Sequence, residues 1–517
     1  MTRGAEREAL AWAEALAAGQ NPLAALVERA AALWPQTVAF TDDSPAAPRL
    51  DFAGLARAVA TVAGALARRG IAPGDAVLLA AGNDLRFVAS WLGIVRTGAV
   101  VVPLPIVSAA VEIAQRAELT RARLLLHDEA RAAVACEAAR LAGAALATLS
   151  LAEIDANAAG ALESPAPVDA DAPAMILFTS GTTGTPRGAV ISHRTLVLHT
   201  SLLARTVIGL GPADRILGVL PLSHSYGARM VMLATLVAGA STLLVARFDA
   251  PATLAQMVAD GTTWVPAVPT MFAAWGALPA GPRPPLRWCL SAGSPLADET
   301  LRRAEARLGT TIRQAYGMTE ATLATLDAPP HPRTIGTVGR VVPGIEITIV
   351  DALGNAVAAG EPGEVLIRGH NLMSGYLDDP AATREALRCG WMHSGDIGSL
   401  DASGLVRVVD RIKDMIIRGG NNVYPAEVEA VLATHPALRE VAVVGRPDPY
   451  YGEEIVAFVV PADPAAPPDP AELATFARAR LGRSKVPREW HLVDAFPLGP
   501  SRKVLKRELR ARLATRS

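Results

Sequence analysis

Cysteine is scarce in this chain. Cys136, Cys289 and Cys389 are the only three in 517 residues. They stand far apart with no C-x-x-C spacing, which excludes a disulfide framework and a cysteine zinc site and points to a reducing compartment. An excess of one charge is also missing. Lys and Arg number 49 against 50 Asp and Glu, for a formal net charge of −1, so no global field draws the chain to nucleic acid or to an anionic membrane. No uninterrupted apolar run approaches the roughly 18–20 residues a membrane span needs. Met1 to Glu8 carries early acids with no apolar core after it, which is not a signal-peptide pattern. The end, Ala514 to Ser517, is no peroxisomal address. The expectation is a cytoplasmic protein with no integral membrane association and no nucleic-acid partner.

What is present is a chain too long for one ordinary core, so two or more domains are expected. Its 51% hydrophobic and 19% charged residues are those of a globular protein. From residue 77 strand-like runs alternate with helical patterns: strands at 77–80, 99–104 and 124–126, a helix over 85–96, then strands at 215–220, 241–246, 263–268 and 287–290. That alternation predicts an α/β fold with mostly parallel sheets flanked by helices, with ligands at the carboxyl ends of the strands. Residues 152–174, rich in Ala, Pro and Asp, read as a surface linker. From about Ile345 strands shorten and turns multiply, which suggests a small β-rich subdomain. After Asp410 a compact α+β region begins. The predicted division is a large N-terminal domain over 1–410 and a C-terminal domain over 411–517.

One stretch organises the rest. The apolar run Met175 to Phe178 reads as a buried strand, and Thr179, Ser180, Gly181, Thr182, Thr183, Gly184, Thr185, Pro186, Arg187 and Gly188 follow it. Glycine lets backbone N–H groups turn onto a ligand, the hydroxyls add donors, and Arg187 adds a cation, which is equipment for a polyphosphate. The spacing is not that of a Walker A loop. Further strings are Pro221-Leu222-Ser223-His224-Ser225-Tyr226-Gly227, Ser291-Ala292-Gly293-Ser294-Pro295, Gln314-Ala315-Tyr316-Gly317-Met318-Thr319-Glu320, Ser394-Gly395-Asp396, Asp410-Arg411-Ile412-Lys413-Asp414, Arg418-Gly419-Gly420-Asn421-Asn422 and Pro500-Ser501-Arg502-Lys503-Val504-Leu505-Lys506. Taken singly, these read as turns, helix caps and solvated charge.

Together, in this order, they closely resemble the adenylate-forming superfamily, and within it the acyl-CoA synthetases, or AMP-dependent acid–CoA ligases. The resemblance implies ATP, Mg2+ and coenzyme A as cofactors and a small-molecule carboxylic acid as substrate. It implies that Thr179 to Gly184 and Arg187 hold phosphate, with Arg187 where the family usually has Lys. Gly293, Ser294, Gln314, Ala315, Tyr316 and Gly317 would surround adenine, Thr319 would donate to the α-phosphate, and Glu320 would reach the metal. Asp396 would read the ribose, with Arg411 on ribose or phosphate. His224 would line the acyl pocket and gate the pantetheine tunnel, Gly419 and Gly420 would line that tunnel, Lys413 would be the hinge of a mobile C-terminal domain, and Lys503 would be the catalytic lysine, although Arg502 stands where the family has glycine.

The acid is less determined. Residues following His224, those around Trp264 and Val265, and Ala292, Gly293 and Gly317 are apolar or small, which favours an apolar aliphatic or aromatic acid. Arg229, five residues past His224, reads as a surface or helix-end arginine, the alternative being a partner for a second carboxylate. The rivals are a ligase that loads a carrier-protein phosphopantetheine, a nucleotide-binding module without catalysis, and, more remotely, a luciferase-type oxygenase. Oligomeric state is open.

Overall fold

A computed structural model describes residues 3–44, 48–143, 146–156, 160–179, 186–419, 421–497 and 504–514. The apolar run near residue 77 forms the strand Ala76–Ala80, buried throughout. The helix after it, Leu85–Arg96, starts where the Asp84 carboxylate accepts the Phe87 N–H at 2.7 Å, a cap that satisfies one of the orphan donors of a first helical turn. Among the described residues these elements belong to a seven-stranded sheet ordered Gly375–Tyr376, Arg187–Ser192, Pro173–Thr179, Val100–Pro103, Ala76–Ala80, Leu124–His127, Ala147–Ser150. The last five strands are parallel. Arg187–Ser192 and Gly375–Tyr376 close one edge antiparallel. Strands such as Leu124–His127 are covered on both faces, so they carry continuous apolar runs instead of alternation.

A second, nine-stranded sheet has the order Arg340–Val341, Thr325–Leu326, Ile312–Tyr316, Trp288–Ser291, Trp264–Ala267, Arg215–Gly218, Ser241–Leu244, Val38–Asp42, Arg49–Asp51. Its middle is parallel, so the loops after residues 218, 267, 291 and 316 collect at one edge. One apolar cluster, with fully buried Trp91, Trp264 and Phe272, runs through the elements of both sheets. Each such large side chain contributes about 1.5–3 kcal/mol relative to exposure. A third sheet, Ile345–Val350, Gly363–Gly369, Met392–Leu400 and Val406–Arg411, is antiparallel. It is the β-rich subdomain the turn pattern foretold.

Past Arg411 the strands join a different sheet. Asn421–Val423, Ile416–Arg418, Gly452–Pro461 and Leu438–Asp448 follow one another, with Glu489–Leu492 beside Gly452–Pro461. It packs its own apolar clusters around Val443 and Phe458. The architecture is thus the expected α/β one with a C-terminal α+β region. The stretch read as a surface linker is more tied down than its composition suggests. Buried Arg96 donates to the carbonyls of Leu162 at 3.0 Å and Glu163 at 2.5 Å, and Ala166 N–H donates to the Arg96 carbonyl. No helix of the described residues is long and apolar enough to cross a membrane.

Candidate active site

The strand Ile312–Tyr316 ends at the edge where the parallel loops gather. Tyr316 is buried there, and its hydroxyl donates to Asp396 Oδ2 at 2.6 Å. Asp396, 4% exposed, comes from the third sheet, and Arg411 Nε reaches its Oδ1 at 3.1 Å. Burial, and then the Asp396 charge, hold the Tyr316 hydroxyl well above its ordinary pKa, so it stays a donor. A carboxylate gripped from two sides is aimed, and each of its oxygens can accept a second hydrogen bond. Two residues from distant strings, with Arg411 at the boundary of the C-terminal region, meet at one point.

A second group lies between the two large sheets. Glu320 is 8% exposed. Its carboxylate accepts from the Tyr376 hydroxyl at 3.0 Å, and its carbonyl accepts from Met373 N–H at 2.8 Å. The Arg187 guanidinium lies 5.6 Å from the centre of the Tyr376 ring and 3.7 Å from Asp379, and Thr179 Oγ1 donates to the Arg187 carbonyl at 3.4 Å. Arg187, Tyr376 and Glu320 thus form a line from the strand Arg187–Ser192 to the Glu320 turn. Among the described residues no group of three or more His, Cys, Asp or Glu can hold a metal. A single oriented carboxylate suits Mg2+, which binds through one or two carboxylates plus phosphate oxygens and water, so the donor set fits that ion. Tyr376 carried no motif and was missed in the sequence. Its only sign was an aromatic residue in a short strand next to glycine.

His224 ends the loop after Arg215–Gly218. It is exposed, and its Nδ1 accepts from Tyr226 N–H at 3.2 Å, which caps the helical stretch that follows. Gly227 packs so closely that a Cβ there would lie 2.2 Å from the Pro221 carbonyl oxygen. The Tyr226 hydroxyl donates to the Leu290 carbonyl at 3.0 Å and so ties this helix to the strand before Gly293 and Ser294, of which Ser294 is exposed. Gln314 and Ala315 lie in the strand that ends at Tyr316, and Thr319 is half-buried in the turn after it. Gly317 admits no side chain, since a Cβ would meet Leu323 N at 2.1 Å. The turn must fold back there to bring Glu320 under Tyr376.

Ser180, Gly181, Thr182, Thr183, Gly184, Gly420 and Lys503 lie outside the described residues. Gly419 donates its N–H to the Tyr451 carbonyl at 2.8 Å, and Lys413 is exposed in the short turn Ile412–Asp414. Lys506, a cation easily confused with Lys503 in the sequence, pairs with Glu429 at 2.7 Å. Burial opposes its charge, but Glu429 and Asp410 outweigh that and leave its pKa raised. It is a cation with structural duties.

Arg229 is neither a surface nor a helix-end residue. It is fully buried, because the helical stretch that His224 begins packs on the helix His193–Ser201. Two histidines beside it, His199 fully buried and His370 half-buried, were not read from the sequence at all. His199 Nδ1 and His370 Nε2 are 3.2 Å apart, and nothing in their local spacing announced the pairing across 171 residues.

Residues 27–377 match the family described as AMP-binding enzyme, and residues 427–503 match the AMP-binding enzyme C-terminal domain. The sulfoacetate–CoA ligase of Cupriavidus necator is 36% identical over 507 residues, 95% of this chain and 97% of that protein. The feruloyl-CoA synthase of an Amycolatopsis species is 37% identical over 90% of this chain and 94% of its own length. Among solved structures, ATP-bound MatB from Rhodopseudomonas palustris superposes with a TM-score of 0.87 at 29% identity, covering 95% of this chain and 98% of that one.

Proposed function

The chain belongs to the AMP-binding enzyme family and is an AMP-forming acid–CoA ligase, and we propose how its residues divide the two half-reactions. In the first, a carboxylate attacks the α-phosphorus of ATP and gives acyl-adenylate and pyrophosphate. In the second, the CoA thiol attacks the acyl carbon and gives thioester and AMP. The observation that carries the residue assignment is the Tyr316–Asp396–Arg411 junction. It supports Asp396 as the reader of the ribose hydroxyls, with Tyr316 and Arg411 holding its carboxylate in place. Gly293, Ser294, Gln314, Ala315 and Gly317 are assigned to the adenine side of the same edge.

No general base is needed in the first step, because a carboxylic acid with a pKa of roughly 4–5 is ionised at pH 7. The obstacle is anion meeting anion. Arg187 and Lys503 are assigned to the phosphate oxygens and Thr319 to the α-phosphate, where fixed donors stabilise the developing charge. Glu320 would hold Mg2+, which when bound supplies further positive charge to the polyphosphate. The second step calls for different groups at the same acyl carbon. We assign it to Gly419, Gly420 and His224, reached by rotation of a C-terminal domain (411–517) about Lys413 against an adenylation domain (1–410). Free CoA is the acceptor in this reading, and the cytoplasm is its setting.

The names of the two relatives pull the acid class in opposite directions. One acid carries a sulfonate and the other an aromatic ring. The apolar residues around Trp264 favour an apolar acid, and a buried cation favours an anionic one.

The test is AMP release with ATP, magnesium and a panel of carboxylic acids, with and without CoA, in the wild type and in Lys503→Ala. The expected result is CoA-dependent AMP release with one class of acid. In Lys503→Ala, adenylate formation falls on the order of a thousandfold, while thioester formation from supplied acyl-adenylate survives. Equal loss in both halves would remove Lys503 from the role given to it.

A further inference from the structure

Arg229 is the one arginine among the described residues with two buried nitrogens that lack a hydrogen-bond partner, Nε and Nη2. Its Nη1 donates to the Thr195 carbonyl at 3.1 Å, and no described carboxylate lies within ion-pair distance. This chain shows how it treats a buried structural arginine. Arg96 divides its nitrogens between Glu28 and two carbonyls, and Arg418 grips Glu454 with both arms. Arg229 keeps back the Nε–Nη2 edge, the fork that takes a carboxylate or a similar oxyanion through two parallel hydrogen bonds. A guanidinium buried without a counter-charge is costly. Burial pulls its pKa down to about 9, which still leaves it protonated at pH 7.

Its surroundings are basic. His199 is fully buried, with the Thr322 backbone beside it, and the His370 ring lies tilted by 52° against it with ring centres 5.2 Å apart. Burial first, and then the charges of His370 and Arg229, push the His199 pKa well below its ordinary value, and burial, opposed by a Gly344 backbone bond and aided by Arg229, brings that of His370 down to about 4. Three nitrogenous side chains thus share a space that no acid of the described chain enters. The backbone carrying Arg229, Ala228–Leu233, is π-helical, with Ala234 N–H bonding back five residues to the Arg229 carbonyl, a winding that recurs at functional sites. The location is specific too. Ser225, next to His224, has its hydroxyl 3.4 Å from that of Thr322, and Thr322 is two residues past Glu320. The cluster therefore backs onto both strings between which the acid is proposed to react.

We propose that the acid substrate carries a second anionic group at its far end, a carboxylate or a sulfonate, and that the Nε–Nη2 edge of Arg229 receives it, with His199 and His370 at its side. This rests on the acid–CoA ligase reading and narrows its substrate to small acids charged at both ends.

Matched pairs of acids decide it: propanoate and butanoate against malonate, succinate, sulfoacetate and 3-sulfopropanoate, each with ATP, magnesium and CoA, followed by AMP release and thioester. The wild type is expected to favour the doubly anionic acids by at least 100-fold in kcat/KM, and the carboxylate and sulfonate arms show which oxyanion fits. Arg229→Met collapses that ratio at least 100-fold, while Arg229→Lys, which keeps the charge and loses the fork, retains part of it. A wild type that prefers the uncharged acids, or a ratio unmoved in Arg229→Met, overturns the proposal and leaves the ligase reading standing. Silence with all six while an aromatic acid such as ferulate is turned over also overturns the proposal, and silence with ferulate as well sinks the ligase reading instead. Calorimetric titration of the same acids then decides the site: binding to the wild type that is lost in Arg229→Met supports it, and no binding of any doubly anionic acid to the wild type overturns it.

Discussion

Two buried charges in this fold are treated in opposite ways. Asp396 is met by the Tyr316 hydroxyl at 2.6 Å and by Arg411 at 3.1 Å. Arg229 spends one nitrogen on a carbonyl and meets no acid among the described residues. A third case lies in the C-terminal sheet. Arg418 and Glu454, 7% and 5% exposed, make two hydrogen bonds, with the guanidinium 4.4 Å from the centre of the Tyr451 ring. Removing one member of such a pair leaves the other charge buried and alone. The comparison teaches that burial does not say what a charge is for. Where the chain supplies the partners, the charge holds or aims something. Where it supplies none, the charge is placed to meet something the chain lacks.

The largest effect on stability is expected where the pair is complete. Arg418→Met leaves the Glu454 carboxylate only the Ile455 N–H and the more distant Arg488, 3.8 Å away, and should cost about 3 kcal/mol of local stability. Faster hydrogen exchange in Leu438–Asp448 and Gly452–Pro461 of the intact chain would report it. Adding Glu454→Leu should recover most of that loss, since replacing both partners by apolar groups is often neutral. Next comes Asp396→Asn, which weakens charge-assisted contacts by roughly 2 kcal/mol. It should raise KM for ATP about 30-fold while leaving KM for CoA near its starting value. An unchanged KM for ATP would mean that the Tyr316–Asp396–Arg411 junction only joins the sheets.

The contrast also explains what the sequence let one read. The strand run at 77–80 and the helix 85–96 were legible because their apolar spacing is set by local geometry, and the order of the motifs carried the family. Asp396, Glu320 and Tyr316 were legible because their neighbours in the chain form recognisable strings. Arg229 was misread as a surface or helix-end residue because its burial is decided by packing against residues 193–201, some thirty positions away in sequence. His199 and His370, and Tyr376 with Glu320, are pairings across 171 and 56 residues, and no period of 2 or 3.6 encodes those. Arg96 hid for the same reason, since the stretch it secures has the composition of a linker.

His193 sharpens the comparison through pH. It is fully buried, neither ring nitrogen has a partner among the described residues, and burial drives its pKa down to about 4. The unfolded chain, with a histidine pKa near 6.5, binds this proton more readily than the folded one between pH 4 and 6.5. Stability therefore rises with pH across that window and is lost as pH falls through it. From pH 7 to 5 the loss is about 2 kcal/mol. Asp42, its carboxyl pushed up to about 6 by burial and by Asp84, works in the opposite sense in the same range, so a comparison with His193→Phe is needed to isolate the histidine. The urea midpoint of the variant should fall less than that of the wild type between pH 7 and 5. Parallel falls would show that His193 finds a proton partner when folded.

The smallest change in stability is expected at Arg229. Arg229→Met removes a bond to the Thr195 carbonyl, about 1 kcal/mol, and also removes the burden of an uncompensated buried cation, with a flexible apolar side chain left to fill the space. The two effects offset each other, so the unfolding free energy read from urea titration at pH 7 should stay where it is or rise by about 1 kcal/mol. A loss near 3 kcal/mol, as expected for Arg418→Met, would make Arg229 a structural arginine like Arg96 and erase the distinction between the two buried charges. A neutral or stabilised variant that has lost its preference for doubly anionic acids would establish the opposite. A fold that keeps a costly cation it does not need for its own stability keeps it for a ligand.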